Sequence, residues 1–520
     1  MTSSTPPLAP APPHATAGGV DVPLEVLSER EQRFERWRRK AGVVLAPLVF
    51  ATLLLLPMPA LSAPAHRLAA ILATVVVLWI SEVLPMPVTA LLGAVAAVVL
   101  RVAPAKEVLA PFADPLIFLF IGAFIVARAI FLHGLDRRFA YAVLSLPWVG
   151  ARPSRILFAF GAVTALISAW ISNTATTAMM FGIGMSILAF FFEQRDGAPA
   201  IDRRYATGLM LMTTFAASVG GLATPVGTPP NVIGLGFIRE LVGVEISFFR
   251  WMLIGVPVVA VLFAVMFVVL NTFCPAGVRE LAGSRAMIVE RRAALGRWTT
   301  AQRSTALAFG LTVLLWIVPG IVALVLGERS PVYLTLQRSI PEGVAAVAGA
   351  VLLFMLPGDG GERAITWTEA SRIDWGVVLL YGGGFALGVL SFQTGLAEAM
   401  GRGLTSWLPV RGELGLLAAS VIIAVIVSET TSNTASANMV VPVVISIANA
   451  AGVDPLVPAL GATFASSLGF MLPVSTPCNA IVYGSGYVPL TRMMRYGVLL
   501  DLAGIVVVIV VVWLVGPMLR

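Results

Sequence analysis

Long apolar stretches alternate along this chain with short polar loops, many of them rich in arginine. About 20 apolar residues cross a bilayer as a helix. Stretches of that kind fall near 43–61, 68–84, 88–103, 116–135, 206–239, 251–272, 304–327, 341–357, 376–396, 457–487 and 496–517, which predicts about eleven transmembrane helices. Two further stretches, 153–192 and 413–451, are long enough to enter the membrane and return. Arg137, Arg138, Arg152 and Arg155 precede the first of these, and Arg195, Arg203 and Arg204 follow it. Basic loops stay in the cytoplasm, so both ends of the segment belong on that side. A re-entrant hairpin meets this condition and a single crossing does not. The basic run from Arg30 to Lys40 places the N-terminus in the cytoplasm as well.

Polar residues interrupt the two hairpin segments at matching places. Ser172-Asn173-Thr174 recurs as Ser432-Asn433-Thr434, 260 residues later. Upstream, Gly122-Ala123-Phe124 with Gly134-Leu135 matches Gly383-Gly384-Phe385 with Gly395-Leu396. Downstream, Gly227-Thr228-Pro229-Pro230-Asn231 faces Ser475-Thr476-Pro477-Cys478-Asn479. An odd number of crossings separates corresponding spans, so the second half is inserted upside down relative to the first. Such inverted repeats, with helices broken at mid-membrane, are the sequence pointer to a transport site. Bare hydroxyls and amides in lipid leave their hydrogen-bonding groups unpaired, so these residues must face protein, water or a ligand. The prolines break their helices. Half-helix N-termini attract carboxylates, and freed carbonyls with hydroxyl and amide oxygens suit a monovalent cation such as Na⁺.

Composition narrows the function classes. With 58% hydrophobic and 12% charged residues and a mean hydropathy of +0.92, the chain is a polytopic membrane protein in contact with the lipid bilayer. A net charge of +7 reports loop topology rather than nucleic-acid binding. Two cysteines, Cys274 and Cys478, and three histidines support neither a disulfide framework nor a zinc site nor a catalytic constellation, so no enzyme is expected. Residues 1–40 read as a disordered, basic cytoplasmic segment. The first half spans 41–272, a cytoplasmic amphipathic linker 273–303, and the second half 304–520, with hairpins at 153–192 and 413–451 and broken helices at 206–239 and 457–487. Glu82, Asp114, Arg128, His133 and Asp501 read as end-anchors or structural pairs, Glu429 as a residue supporting the second motif, and the glycine clusters as close-packing positions.

The stretches W-I-S-N-T-A-T-T-A-M-M from Trp170 and G-G-L-A-T-P-V-G-T-P-P-N from Gly220 resemble the divalent anion:sodium symporter family, its sodium-coupled dicarboxylate branch in particular, over nearly the whole chain after residue 40. The resemblance implies an all-α elevator-type transporter, with about eleven transmembrane helices and two re-entrant hairpins, working as a homodimer in a bacterial inner membrane. By the same resemblance, one Na⁺ is held by Ser168, Ser172, Asn173 and Gly227, and another by Ser428, Thr431, Asn433 and Ser475. The substrate rests on Asn173, Thr174, Thr228, Pro229, Asn433, Thr434, Thr476 and Pro477. No cofactor is implied beyond Na⁺ as coupling ion. Cys478 stands where the family often has proline. C4-type dicarboxylates such as succinate, malate or fumarate are the implied substrates, with sodium-independent exchange, or transport of sulfate or a tricarboxylate, as alternatives. A channel is the rival outside carriers, and it would need no broken, inverted repeats.

Overall fold

A computed structural model describes residues 14–17, 20–23, 29–193, 201–281, 283–407 and 412–519. Before the first span, β1 (His14–Ala17) pairs antiparallel with β2 (Val20–Pro23), His14 opposite Pro23 and Ala17 opposite Val20. This pairing corrects part of the disorder expected for residues 1–40. The sequence cue for it is faint: Gly18-Gly19 has the composition of a two-residue hairpin connection, but the flanking runs, with Ala15, Ala17, Asp21 and Pro23, are poor strand formers. Residues 1–13, 18–19 and 24–28 of that segment lie outside the described ones.

Helix α1 (Glu29–Leu55) begins within the basic run, and Arg38 ties it to the end of α2 (Ala63–Ser81) by an ion pair to Glu82 at 2.9 Å. α3 (Met86–Val99) and the short α4 (Ala105–Leu109) lead to α5 (Pro115–Leu132), whose first turn is capped by Asp114 accepting the Leu116 N–H at 2.8 Å. Then come α6 (Leu135–Leu144), α7 (Pro153–Ser168), α8 (Asn173–Glu193), α9 (Arg203–Gly220), α10 (Pro229–Phe237) and α11 (Phe248–Phe273). The linker carries α12 (Ser284–Ala294), which packs on α6. There Arg138 donates to the carbonyls of Leu295 and Gly296 at 2.8 and 3.0 Å. α13 (Thr300–Leu326) follows, then α14 (Pro331–Ser339) and α15 (Glu342–Met355), bent by 57° at their junction. After α16 (Trp367–Ala370) the sequence of helices repeats: α17 (Trp375–Gln393), α18 (Leu396–Trp407), α19 (Gly412–Thr430), α20 (Asn433–Ala450), α21 (Leu456–Ala465), α22 (Pro477–Tyr483) and α23 (Leu490–Val515).

Each of the eleven apolar stretches falls on a helix, and two of them, 206–239 and 457–487, resolve into helix pairs separated by non-helical backbone. Among the described residues nine helices are long and apolar enough to cross a membrane alone, and the bent α14–α15 pair makes a tenth. α14 went unnoticed in the hydropathy pattern because its nine residues end in polar Gln337, Arg338 and Ser339 and fall short of a span's length.

α5 to α11 recur in order as α17 to α23, and the two sets interlock. α10 packs on α20 and α21 of the second half, while α22 packs on α8 and α9 of the first. Likewise α5 lies along α15 and α17 along α3. Gly122 and Gly383 make these approaches possible: a Cβ at Gly122 would lie 2.4 Å from the Ala346 backbone, and one at Gly383 2.7 Å from Ala90 Cβ. Each half therefore completes the core of the other. α9 is buried on every side from Tyr205 to Gly220, and the hydroxyls of Thr207 and Thr214, on one face of it, bond to Tyr487 O and Asn479 Oδ1 of the second half. α13 instead turns Leu307, Leu314, Leu324 and Val325 outward.

The inverted arrangement has a direct check. Single cysteines at Arg152, which leads into α7, and at Ala451, which follows α20, both exposed, in a chain lacking Cys274 and Cys478, are expected to react with a membrane-impermeant thiol reagent from opposite faces. Labelling of both from one face would exclude the inversion.

Candidate functional site

Four helix starts meet at the centre of the molecule. α7 ends at Ser168 and α8 begins at Asn173. In the second half α19 ends at Thr430 and α20 begins at Asn433. Both turns are hydrogen-bonded within themselves: Ser168 Oγ donates to Asn173 Oδ1 at 2.7 Å, and Ser428 Oγ to Asn433 Oδ1 at 2.8 Å. Ser432 caps α20 by accepting the Ala435 N–H at 3.2 Å. Facing these tips are the starts of α10 and α22, each with proline, Pro229 or Pro477, as first residue after an extended threonine, Thr228 or Thr476. Proline there sets the helical φ and removes an N–H that has no intrahelical partner.

The stretches between the half-helices, 221–228 and 466–476, are non-α-helical backbone in the protein interior, and each is bridged by one asparagine amide. Asn231 Nδ2 donates to Gly221 O and Thr224 O at 2.9 and 2.8 Å. Asn479 Nδ2 donates to Gly469 O and Leu472 O at 3.0 and 2.9 Å. The two staples are superimposable in pattern, ten and seven residues back. Thr214 on α9 donates to Asn479 Oδ1 at 2.6 Å, which fastens the break of one half to the helix of the other. Asn231 and Asn479 were visible in the sequence only as the ends of the Thr-Pro-x-Asn motifs. Their repeated spacing to Gly221 and Gly469 was the signal for this role.

A cavity of about 240 Å³ lies between the four helix starts. It is lined by all eight residues expected on the substrate, Asn173, Thr174, Thr228, Pro229, Asn433, Thr434, Thr476 and Pro477, and by Ser172, Gly227, Ser475 and Cys478. Ser168, Ser428 and Thr431 lie outside the lining; Ser168 and Ser428 sit behind it, bonded to the asparagines. Thr431, just past the end of α19, donates from Oγ1 back to Val427 O at 2.7 Å.

Oxygen atoms crowd around Asn173. Its Oδ1 faces Ser168 Oγ at 2.7 Å, Ala217 O at 3.0 Å and Gly227 O at 3.2 Å. Two arrangements relieve this: the amide turned over, its NH₂ bridging the carbonyls, or a cation among the oxygens. The donor set of amide, hydroxyl and two carbonyls fits Na⁺. Glycine is required beside it, since a Cβ at Gly221 would lie 2.4 Å from Asn173 Oδ1. The second half is roomier, with the corresponding distance from Gly469 to Asn433 Oδ1 at 3.2 Å. There Ser475 replaces Gly227, and its hydroxyl donates to Glu429 Oε2 at 2.7 Å.

The remaining wall comes from outside the motifs. α5 contributes Phe124, Ala127, Arg128 and Phe131, and the start of α17 contributes Asp374 and Val377, with Arg372 just before it. Arg128 pairs with Glu369 at 2.6 Å and Arg372 with the same carboxylate at 3.0 Å. The Arg128 guanidinium holds the Glu369 carboxyl below its usual range. Two guanidiniums, the Glu369 carboxylate they share and Asp374 set four charged groups, balanced in sign, at the cavity wall, which the motifs alone, without Lys or Arg, did not disclose.

Comparison with known proteins agrees with this geometry. Residues 38–520 match the family described as "Sodium:sulfate symporter transmembrane region". The chain is 32% identical over 497 residues to the sodium-dependent dicarboxylate transporter SdcS of Staphylococcus saprophyticus, covering 94% of each chain. Against SdcS of Staphylococcus aureus strain USA300 the identity is 32% over 491 residues, covering 92% of this chain and 91% of that one. In fold it is similar to the Alcanivorax borkumensis YdaH transporter, with a TM-score of 0.54 at 11% identity, over 87% of this chain and 98% of that one.

Loss of a staple is expected to be felt in both folding and uptake. Asn479→Ala removes three hydrogen bonds and strands the Gly469 and Leu472 carbonyls and the Thr214 hydroxyl, at about 1–3 kcal/mol for each unsatisfied group. The purified variant should unfold at a distinctly lower temperature than the parent. An unchanged midpoint would mean that the break is held by other contacts.

Proposed function

The chain belongs to the sodium:sulfate symporter family, and from that premise we propose that it is a secondary transporter coupling Na⁺ entry to uptake of C4-type dicarboxylates. The observation that carries this reading is the meeting of two Asn-Thr pairs, Asn173-Thr174 and Asn433-Thr434, with two Thr-Pro helix starts around one cavity. A dianion with a carboxylate at each end has two matching places to rest, each at the positive end of helices. Its charge is offset by cations held behind it. Ser168, Ser172, Asn173 and Gly227 serve one Na⁺, and Ser428, Thr431, Asn433 and Ser475 the other. No cofactor takes part, and transport needs no enzymatic step. The names of the SdcS relatives favour a dicarboxylate over sulfate.

The same reading assigns the mechanical parts. Helices α7–α11 and α19–α23 form the moving body, and α1–α6 with α13–α18 form the scaffold, in a homodimer of a bacterial inner membrane with the N-terminus in the cytoplasm. Asp114, capping scaffold helix α5, pairs with Arg239 just beyond α10 and accepts a hydrogen bond from Tyr381 Oη at 3.4 Å. That contact crosses the boundary between the two bodies and must part when the site moves as an elevator. Cysteines at Asp114 and Arg239, joined by a short bifunctional thiol reagent, are expected to abolish uptake until the bridge is cleaved. Full uptake by the bridged protein would rule the elevator out.

The coupling reading rests on a liposome experiment. Initial succinate uptake into vesicles free of internal dicarboxylate should rise steeply with external Na⁺, and K⁺ should not replace it. Asn173→Ala and Asn433→Ala should each lower uptake at least tenfold, about 1.4 kcal/mol of lost interaction, the size of a hydrogen bond to a charged group. Uptake that ignores Na⁺ and appears only with preloaded dicarboxylate would replace symport by exchange.

A further inference from the structure

Behind the second Ser-Asn-Thr turn two carboxyl groups lie buried together with no basic partner. Glu429 is 6% exposed and Asp501, on α23, 4%. Glu429 Oε1 accepts the Met471 N–H at 2.8 Å and Oε2 accepts Ser475 Oγ at 2.7 Å, so its carboxylate is fixed toward the broken stretch 466–476. Asp501 faces Glu429, and neither of its oxygens accepts a hydrogen bond in good geometry. Among the described residues no Lys or Arg forms an ion pair with either acid. The nearest arginines along α23 are engaged elsewhere, Arg492 with Thr207 Oγ1 at 3.1 Å and Arg495 over the Phe273 ring. Two adjacent buried carboxylates repel, and unpaired oxygens in such a place are costly.

The fold does not require this pair, because the first half builds the same junction without it. Gly255 on α11 abuts the Leu222 carbonyl, where an added Cβ would lie 2.5 Å away. Gly497 on α23 abuts the Phe470 carbonyl at the same 2.5 Å. These contacts align the two helices, and in that alignment Asp501 corresponds to Val259. Glu429 corresponds to Ala169 in the matching Ser-Asn-Thr motifs. One half thus carries alanine and valine at the places where the other carries two acids, next to Ser475 at the cavity wall.

We infer that Glu429 and Asp501 hold a further monovalent cation, Na⁺, between α19, α23 and the broken stretch, separate from the two Na⁺ positions at the asparagines. The free oxygens of Asp501 and the second lone pairs of the Glu429 oxygens supply hard ligands, and the cation removes the repulsion between them. Glu429 joins this site to the substrate cavity through Ser475, so its occupation favours the turn geometry in which Asn433 and Thr434 face the substrate. The site rests on the sodium-coupled reading above, and it raises by one the number of Na⁺ that accompany each dianion. Uptake then carries net positive charge inward and responds to membrane potential.

Equilibrium binding of radioactive Na⁺ to the purified full-length protein in detergent, without substrate, reads the site directly. Asp501→Asn is expected to bind one fewer Na⁺ per chain than the parent, and in liposomes to carry one fewer charge per succinate by reversal potential. Should that variant not purify, Asp501→Val copies the residue of the first half and is expected to give the same loss. An unchanged Na⁺ count and charge per succinate in a folded Asp501 variant would overturn the inference, the pair then sharing a proton. Absence of Na⁺ binding in the parent would instead refute the sodium-coupled reading itself.

Discussion

Broken backbone in the middle of a membrane protein is the constraint on which this architecture turns. Lipid offers no partner to a freed N–H or C=O, so every interruption of a helix there has to be satisfied by protein. Asn231 and Asn479 meet that demand with one side chain each, spanning the gap from the start of a half-helix back to the end of its predecessor. Once the gap is closed, the half-helix starts point at one place. Helix ends that elsewhere would need capping are left to act on a ligand.

The crossed packing of the halves follows from the same need. α10 and α22 are too short to bury themselves against their own repeat. Each finds its neighbours in the other, with Thr214 reaching Asn479 as the hydrogen-bonded clasp. The site consequently belongs to neither half, and its near-symmetry matches a substrate with two similar ends. The departures from symmetry are local: Ser475 for Gly227, and the Glu429–Asp501 pair for Ala169 and Val259. They cluster behind the second tip, where Ser475 bonds to Glu429.

Charged groups on α5 and at the start of α17 complete the wall of the cavity. Arg128 and Arg372 flank the cavity and share the Glu369 carboxylate, with Asp374 beside them, so their charge is already offset within the protein.

Much of this was legible in the chain alone. Hydropathy located the spans, and the repeated Ser-Asn-Thr and Thr-Pro-x-Asn motifs marked the breaks, because each depends on local chemistry: apolar length, proline's missing N–H, and polar side chains that lipid cannot accommodate. The pairing of β1 with β2, the bend before α15 and the helical form of the linker were not resolved in that way, since short amphipathic or hairpin segments carry weak periodic signals. What the tertiary structure alone decided are the relations across long sequence distance. Arg128 meets Glu369, Thr214 meets Asn479, and Asp501 comes to face Glu429 only when helices from separate parts of the chain are packed together. No local pattern encodes which buried group a side chain will meet, because that is fixed by the close approach of backbones at glycines such as Gly122, Gly383 and Gly497, and by the interlocking of two halves that neither half determines on its own.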